Sequence, residues 1–444
     1  MKRWISVLLA ALLAFSGCST PAAVPEVMAP AATDLSAVPE ESPVPNTSSV
    51  YVLAQPVYPD FPALSAQRKE GLTEADVATL SRFAEASTPL VLSDCKGENV
   101  VYSPLSLWSA LALLAQCTAG DSRAQILEAM ETGGIEELPA QVSRVWKGLY
   151  TDNGKDSLLL ANSIWLNSGM DGRYVQETLD TLAEQYYAGA FSVPMGSSEA
   201  DRAVSNWVSE QTNGLIGGNG PVIQTFEETI MLLVSSLYYR AGWDTEFWSR
   251  LTETDVFTNA SGAEREIDFM HRENNGNFLR REGYQAAALP TRLGEMVFVL
   301  PDEGVTPETL LQNGDLLSGL DFSGSDAVYG TVQWSVPKFD VNSDLDLMDA
   351  LDALGIKDAQ APDKADFSSL TSLNACLTRA KQMARVKVDE EGVEAAAVTI
   401  IAADGCEMVR LPEETCDMDL NRPFLFVIRM NGVPLFVGVV NQVG

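Results

Sequence analysis

The chain is 444 residues long and 46 % hydrophobic, enough to build a large core in one big domain or two average ones. Its 61 acidic residues against 29 basic ones leave a net charge of −32, which repels phosphate backbones and argues against nucleic acid as a partner. The acidity is scattered rather than gathered in a tail, so it reads as a solvated surface.

The N-terminus reads as a targeting segment. Lys2 and Arg3 precede an apolar run from Ile5 to Phe15 that ends in Ser16-Gly17-Cys18. The run is too short to span a bilayer as a mature helix. Small residues before a cysteine resemble a bacterial lipoprotein signal, over residues 1–17, with Cys18 as the lipid-modified first residue of the mature chain. Phe15 stands where such signals usually carry Leu, and the alternative is an ordinary secretory signal. Both readings place the protein outside the cytoplasm, either anchored to the cell surface through Cys18 or secreted. Residues 18–70, rich in Ala, Pro, Ser and Thr, read as a flexible tether.

Folded sequence is expected over 71–444, as one domain without linker or repeat. Thr73 is placed to cap a first helix. "SPLSLWSALALLAQCTAG" (103–120) predicts a buried helix with a Ser-Pro start and a glycine stop. "SLLLANSIWLNSG" (157–169) and "IMLLVSSLYYRAGW" (230–243) predict buried strands. Between them "VSNWVSEQTNGLI" (204–216) predicts an amphipathic helix, and "GLIGGNGP" (214–221) a turn without a phosphate-binding pattern. "AVYGTVQWSVPKFDV" (327–341) predicts strands, and "LDLMDALDALGI" (345–356) a short helix. In "QMARVKVDE" (382–390) Ala384, Val386 and Val388 alternate with Met383, Arg385 and Lys387, a strand with one buried face. "RPFLFVIRMNGVPLFVGVVNQV" (422–443) predicts two strands joined at Met430-Asn431-Gly432. The fold class is α+β, with large antiparallel or mixed sheets.

Little catalytic chemistry is on offer. The only histidine is His271, which excludes a zinc site built on several histidines and forces any Ser-His or Cys-His nucleophile through one residue. It is expected at the end of a strand, before a polar turn at Glu273-Asn274-Asn275-Gly276. Cys95, Cys117, Cys376, Cys406 and Cys416 form no CxxC pair, so no metal and no cofactor is expected. Cys117 reads as a small core residue. Cys406 and Cys416 are close enough in sequence to pair in an oxidising compartment.

"DEEGVEAAAVTII" (389–401) is the unusual stretch. Three carboxylates precede the glycine hinge Gly392. Ala395, Ala396 and Ala397 are small, and Val398, Thr399, Ile400 and Ile401 favour a strand. The segment leaves a core strand and opens a long polar loop over 391–420. Loops of that length tend to be functional or disordered. Its residues could slide between two existing strands.

The chain resembles the serpins. The resemblance rests on "NVVYSPLSLWSALALLAQCTAGDSRAQIL" (99–127), "LANSIWL" (160–166), "NWVSEQTNG" (206–214), "LYYRAGWDTEF" (237–247), "PKFDVNSDLDLMDALDALGI" (337–356), "ADFSSL" (365–370), "VDEEGVEAAAVT" (388–399) and "NRPFLFVIRMNGVPLFVGVV" (421–440), in family order across roughly 72–443. It implies three β-sheets, eight to nine helices and an exposed reactive-centre loop. It also implies a suicide inhibitor of extracellular serine or cysteine proteases. The protease cuts the loop and forms an acyl-enzyme, and the freed loop enters the main sheet as a new strand. The native state would then be kinetically trapped.

The resemblance also implies site residues. Glu390, Glu391, Gly392, Val393 and Glu394 match the hinge, with Val393 where inhibitory members usually carry Thr or Ser. Ala395, Ala396, Ala397, Val398 and Thr399 match the part that enters first. Ser103 and Ser106 match serines beneath the sheet centre. Ser235 and Gln382 stand where the family often has Asn and His, and Trp243 lies near the insertion point. Counting from the hinge puts the scissile bond at Cys406-Glu407, and the length of the loop leaves Met408-Val409 and Arg410-Leu411 as alternatives. A Cys406–Cys416 disulfide would hold the cut end back. The expected partner is one extracellular protease in covalent complex, with the inhibitor itself a monomer. The rivals are a non-inhibitory binding or structural protein of the same fold, disfavoured by the alanine-rich hinge, and a hydrolase, disfavoured by the lone His271.

Overall fold

The computed structural model describes residues 50–56, 58, 71–170, 173–217, 223–312, 314–393 and 414–443, all within a single unit, 48–444. The described helices are α1 (Glu74–Leu92), α2 (Pro104–Cys117), α3 (Gly120–Ala129), α4 (Leu138–Leu149), α5 (Gln176–Gln185), α6 (Ser198–Gln211), α7 (Pro307–Leu311) and α8 (Met348–Ala353). The first helix starts where Thr73 and Asp76 cap each other's backbone N–H groups at 3.1 Å. Helix α2 starts at Ser103, whose hydroxyl accepts from Ser106 N at 3.2 Å, with Pro104 in the first turn. It is apolar almost all round because it is covered almost all round.

The strands in chain order are β1 (Tyr51–Ala54), β2 (Val100–Tyr102), β3 (Thr151–Asp152), β4 (Ser157–Asn167), β5 (Ala188–Val193), β6 (Met231–Gly242), β7 (Thr252–Thr258), β8 (Glu264–Arg281) and β9 (Tyr284–Pro290). There follow β10 (Glu295–Pro301), β11 (Val328–Pro337), β12 (Phe339–Asp346), β13 (Lys381–Val388), β14 (Gly392–Val393), β15 (Thr415–Asp419), β16 (Phe424–Met430) and β17 (Val433–Val440). The main sheet runs β1-β5-β4-β6-β14-β13-β12, with β3 on β4. The second runs β15-β11-β8-β9-β10-β16-β17-β2, with β7 on β8. The described strands are thus joined into two hydrogen-bonded sheets, the second running continuously through β8. That 18-residue strand pairs with β7 over its first residues, with β11 along its middle and with β9 at its end.

Three local expectations change. Glu273-Asn274-Asn275-Gly276 is not a turn but the middle of β8, paired residue by residue with Val332 back to Gly330 and beyond. Its polar side chains sit on a solvated sheet face, so His271 is a mid-strand, half-buried residue. Residues 50–54 fall in the stretch read as tether, yet β1 adds to the edge of β5. There Tyr58 stacks on Trp146, with ring centroids 5.4 Å apart. Asn431 and Gly432 do form the tight β16–β17 turn, both with positive φ, as an Asn-Gly hairpin requires.

Candidate functional site

The two residues of β14 sit between β6 and β13 at one end of the main sheet. Gly392 pairs with Gly242, and Val393 pairs with Ala241 on one side and Val388 on the other, all antiparallel. Among the described residues no other pairing joins β6 to β13. Two hinge residues, Gly392 and Val393, are therefore seated between the two strands. Glycine is required at 392, because a Cβ there would stand 2.6 Å from Gly242 Cα and collide with the Ala241 carbonyl. Val393 fills an apolar slot between Ala241 and Val388, which explains why a β-branched hydrocarbon is accommodated where the family usually has a hydroxyl.

Trp243 and Glu390 fasten the approach to that slot. The Trp243 indole N–H donates to Asp389 O at 2.9 Å, and its backbone N–H donates to Glu391 O at 3.1 Å. The ring is fully buried, edge-on to Phe247. Phe247 N–H donates to Glu390 O at 3.1 Å. The Glu390 carboxylate accepts from Thr252 Oγ1 at 2.9 Å and from Lys338 Nζ at 3.1 Å. Burial opposes its charge, but its own backbone N–H, Lys338 and Thr252 outweigh that and hold the carboxyl below its ordinary range.

Further along, the facing edges of β6 and β13 line a cavity of about 170 Å³ over helix α2. Ser103, Ser106, Ser235 and Gln382 all reach it, beside Leu111 and Phe436. Ser103 caps α2 and Ser106 lies in its first turn, and the fold brings Ser235 and Gln382 to them from distant parts of the chain. Gln382 Oε1 accepts from Ser103 N at 2.7 Å, and its Nε2 donates to Ser103 O at 2.9 Å. Ser103 Oγ donates to Leu435 O at 2.7 Å. The run read as a fully buried strand is in fact only half buried from Met231 to Ser235, where β6 borders the opening. Neighbouring Ser236 carries a buried hydroxyl without a hydrogen-bond partner.

Of the expected site residues, Glu390 to Val393, Trp243 and the four cavity residues converge on this seam. Glu394 to Thr399, the scissile candidates Cys406 to Leu411, and Cys18 lie outside the described residues. Cys416 is buried in β15 as a free thiol that donates to Gln285 Oε1 at 3.7 Å, while Cys406, the residue it was close enough in sequence to pair with, lies outside the described residues. Burial pushes the Cys416 thiol up to about 11. In register with Val332, Cys416 faces the core. Sequence reasoning missed β14 itself and Phe247 and Thr252, whose only local signal is their nearness to Trp243. Among the described residues no group of histidine, cysteine or carboxylate side chains could hold a metal ion.

A family model described as "Serpin (serine protease inhibitor)" matches residues 79–443. Plasminogen activator inhibitor 1 of Sus scrofa is 32 % identical over 373 residues, covering 79 % of this chain and 89 % of the relative. Serpin-Z1A of Triticum aestivum is 29 % identical, covering 82 % and 96 %. Among solved structures, the thermophilic serpin tengpin in its native state superposes with a TM-score of 0.74 at 26 % identity, over 88 % of this chain and 97 % of tengpin.

Proposed function

Because this chain belongs to the serpin family, whose members are generally protease inhibitors, we propose that it traps extracellular serine or cysteine proteases by inserting its cut loop into the main sheet. The observation that carries the reading is the seating of Gly392 and Val393 between β6 and β13 above an unpaired seam. Continuing that register would set Ala395 beside Tyr239 and Val386, Ala397 beside Leu237 and Ala384, and Thr399 beside Ser235 and Gln382. Those neighbours face the core, where large side chains already fill the space, so small entrants suit the first rows. The last row meets the polar cavity residues, where a hydroxyl finds partners. Each ladder hydrogen bond gained is worth about 0.5–1.5 kcal/mol, which makes insertion a sink once cleavage frees the loop.

The lipoprotein-like start supports surface attachment through Cys18, outside the cytoplasm, with residues 18–49 as the spacer. No described helix is long and apolar enough to cross a membrane. The inhibitor is proposed to act as a monomer without a cofactor.

The test is to mix the 50–444 chain with trypsin, chymotrypsin, elastase and subtilisin and run denaturing gels. An SDS-stable complex is expected, and mass spectrometry of the released peptide assigns the bond among Cys406, Met408 and Arg410. Cleavage without complex, and without a gain in melting temperature, would favour the binding-protein reading instead. The fold permits that use: thyroxine-binding globulin in complex with thyroxine superposes with a TM-score of 0.70 at 22 % identity.

A further inference from the structure

Large exposed aromatic rings flank both described ends of the loop. Trp248 is 58 % exposed and Tyr329 is 57 % exposed. Trp248 follows Phe247, whose N–H holds Glu390 O, and precedes Thr252, whose hydroxyl holds the Glu390 carboxylate. It therefore stands at the N-terminal foot of the loop. Tyr329 precedes Gly330, packed against Glu414 O, and Thr331, whose N–H donates to that same oxygen at 2.9 Å. It stands at the C-terminal foot. Arg250 lies over the Trp248 ring at 4.2 Å, which holds the indole in place at the surface. Exposed Leu251, whose N–H donates to Trp248 O at 2.7 Å, extends the apolar ground beside it.

The ground beyond is acidic. Asp255 of β7 and Asp417 of β15 are exposed, and the chain leaving β15 meets the end of β7 where Thr258 N–H donates to Asn421 O at 2.8 Å. Asp417 continues across Gln333 to Glu273 on the same sheet. Exposed Trp and Tyr are the residues that bury most profitably in interfaces, and exposed charges beside such anchors set encounter rates. Any protein that takes the loop into a cleft must come down on this ground.

The geometry points to a docking rim, with Trp248 and Tyr329 as anchors and Asp255 and Asp417 as steering charges, that selects target proteases with a basic surface around the active-site cleft. This rests on the inhibitory reading but adds partner choice to it. The loop's scissile residue sets what can be cut; the rim sets which protease arrives fast.

The experiment uses a cationic and an anionic trypsin, each with its catalytic serine replaced by alanine, so that docking is read without trapping. Association rates and Kd are measured for the wild type, W248A, Y329A and the double variant D255N/D417N at low and high salt. A control, D349N/D352N, removes equal charge on α8, which follows the end of β12 remote from the hinge. W248A and Y329A are expected to weaken docking about tenfold each. D255N/D417N is expected to slow association with the cationic trypsin about tenfold at low salt, little at high salt, and not with the anionic one. Unchanged affinity in both aromatic variants would overturn the rim. So would an equal loss in the α8 control, which would leave only net charge, or the absence of measurable docking to the wild type. Trapping is read separately with active trypsin: docking to the inactive protease without an SDS-stable complex would remove the inhibitory reading and leave the rim standing.

Discussion

Gln382 and Ser103 hold each other twice, N–H to Oε1 at 2.7 Å and Nε2 to carbonyl at 2.9 Å. The pair ties β13 to the start of α2 directly behind the seam. Gln382→Leu would leave the buried Ser103 N–H without a partner, at about 1–3 kcal/mol, and the Ser103 carbonyl with the Leu107 N–H alone. The variant is expected to unfold at lower urea concentration, by that amount, and to lose its native state faster on warming. Equilibrium denaturation with an unchanged slope checks the first expectation, and activity remaining after timed incubation checks the second.

Gly392 meets Gly242 and the Ala241 carbonyl with no room for a side chain at 392. Gly392→Val is expected to expel β14 from the sheet. Trp243 would lose its hold on the strand through Asp389 O and Glu391 O, so its fluorescence should shift red as water reaches it. Loop entry after cleavage would also slow, raising the number of inhibitor molecules consumed per protease trapped.

Glu390 couples the hinge to pH. Its carboxyl is held below the ordinary 4.5, so the folded state favours the charged form. The contribution is present above that ordinary value and is lost as pH falls below it. Acidification is therefore expected to loosen the hinge, and Glu390→Gln should show the loosened behaviour already at neutral pH, at a cost of about 1 kcal/mol. Limited proteolysis near residue 390 across a pH series measures this. An acid transition of the same size in Glu390→Gln would assign it to another group.

Local signals were legible in the sequence and pairing was not. Thr73, Ser103-Pro104 and Asn431-Gly432 announce their caps and turn because that chemistry is contained within a few residues. The hinge was legible through Gly392 and its alanines. Met231 to Ser235, by contrast, is as apolar as any core strand, and nothing in its composition says that β13 stands apart from it. Asn274-Asn275-Gly276 has turn composition but lies in β8, because β11 supplies partners from elsewhere in the chain. Cys416 faces inward for the same reason, a register set by Val332.

Asp76 tests the scaffold away from the seam. Its side chain is 2 % exposed and receives Arg144 Nη2 at 2.7 Å and Nε at 2.8 Å while capping Thr73. Asp76→Asn keeps the shape but removes the charge that Arg144 faces, and since that guanidinium is 37 % exposed a loss of about 1 kcal/mol is expected. Thermal unfolding checks it, and trapping of protease by the folded fraction should be unchanged, since neither residue borders β6 or β13.

Ala397→Arg tests insertion most directly. In the continued register, residue 397 faces the core between Leu237, 9 % exposed, and Ala384, 4 % exposed. A guanidinium there would be buried without a carboxylate, at a cost of several kcal/mol. The uncut protein should fold and melt as the wild type does, because in it the described pairing of the hinge ends at Val393. After cleavage the arginine should halt the strand before the seam closes, so the acyl-enzyme hydrolyses and the variant becomes a substrate. Gels would then show cut inhibitor and free protease in place of complex. Undiminished complex formation by Ala397→Arg would mean that the loop enters in another register or that trapping does not depend on this seam.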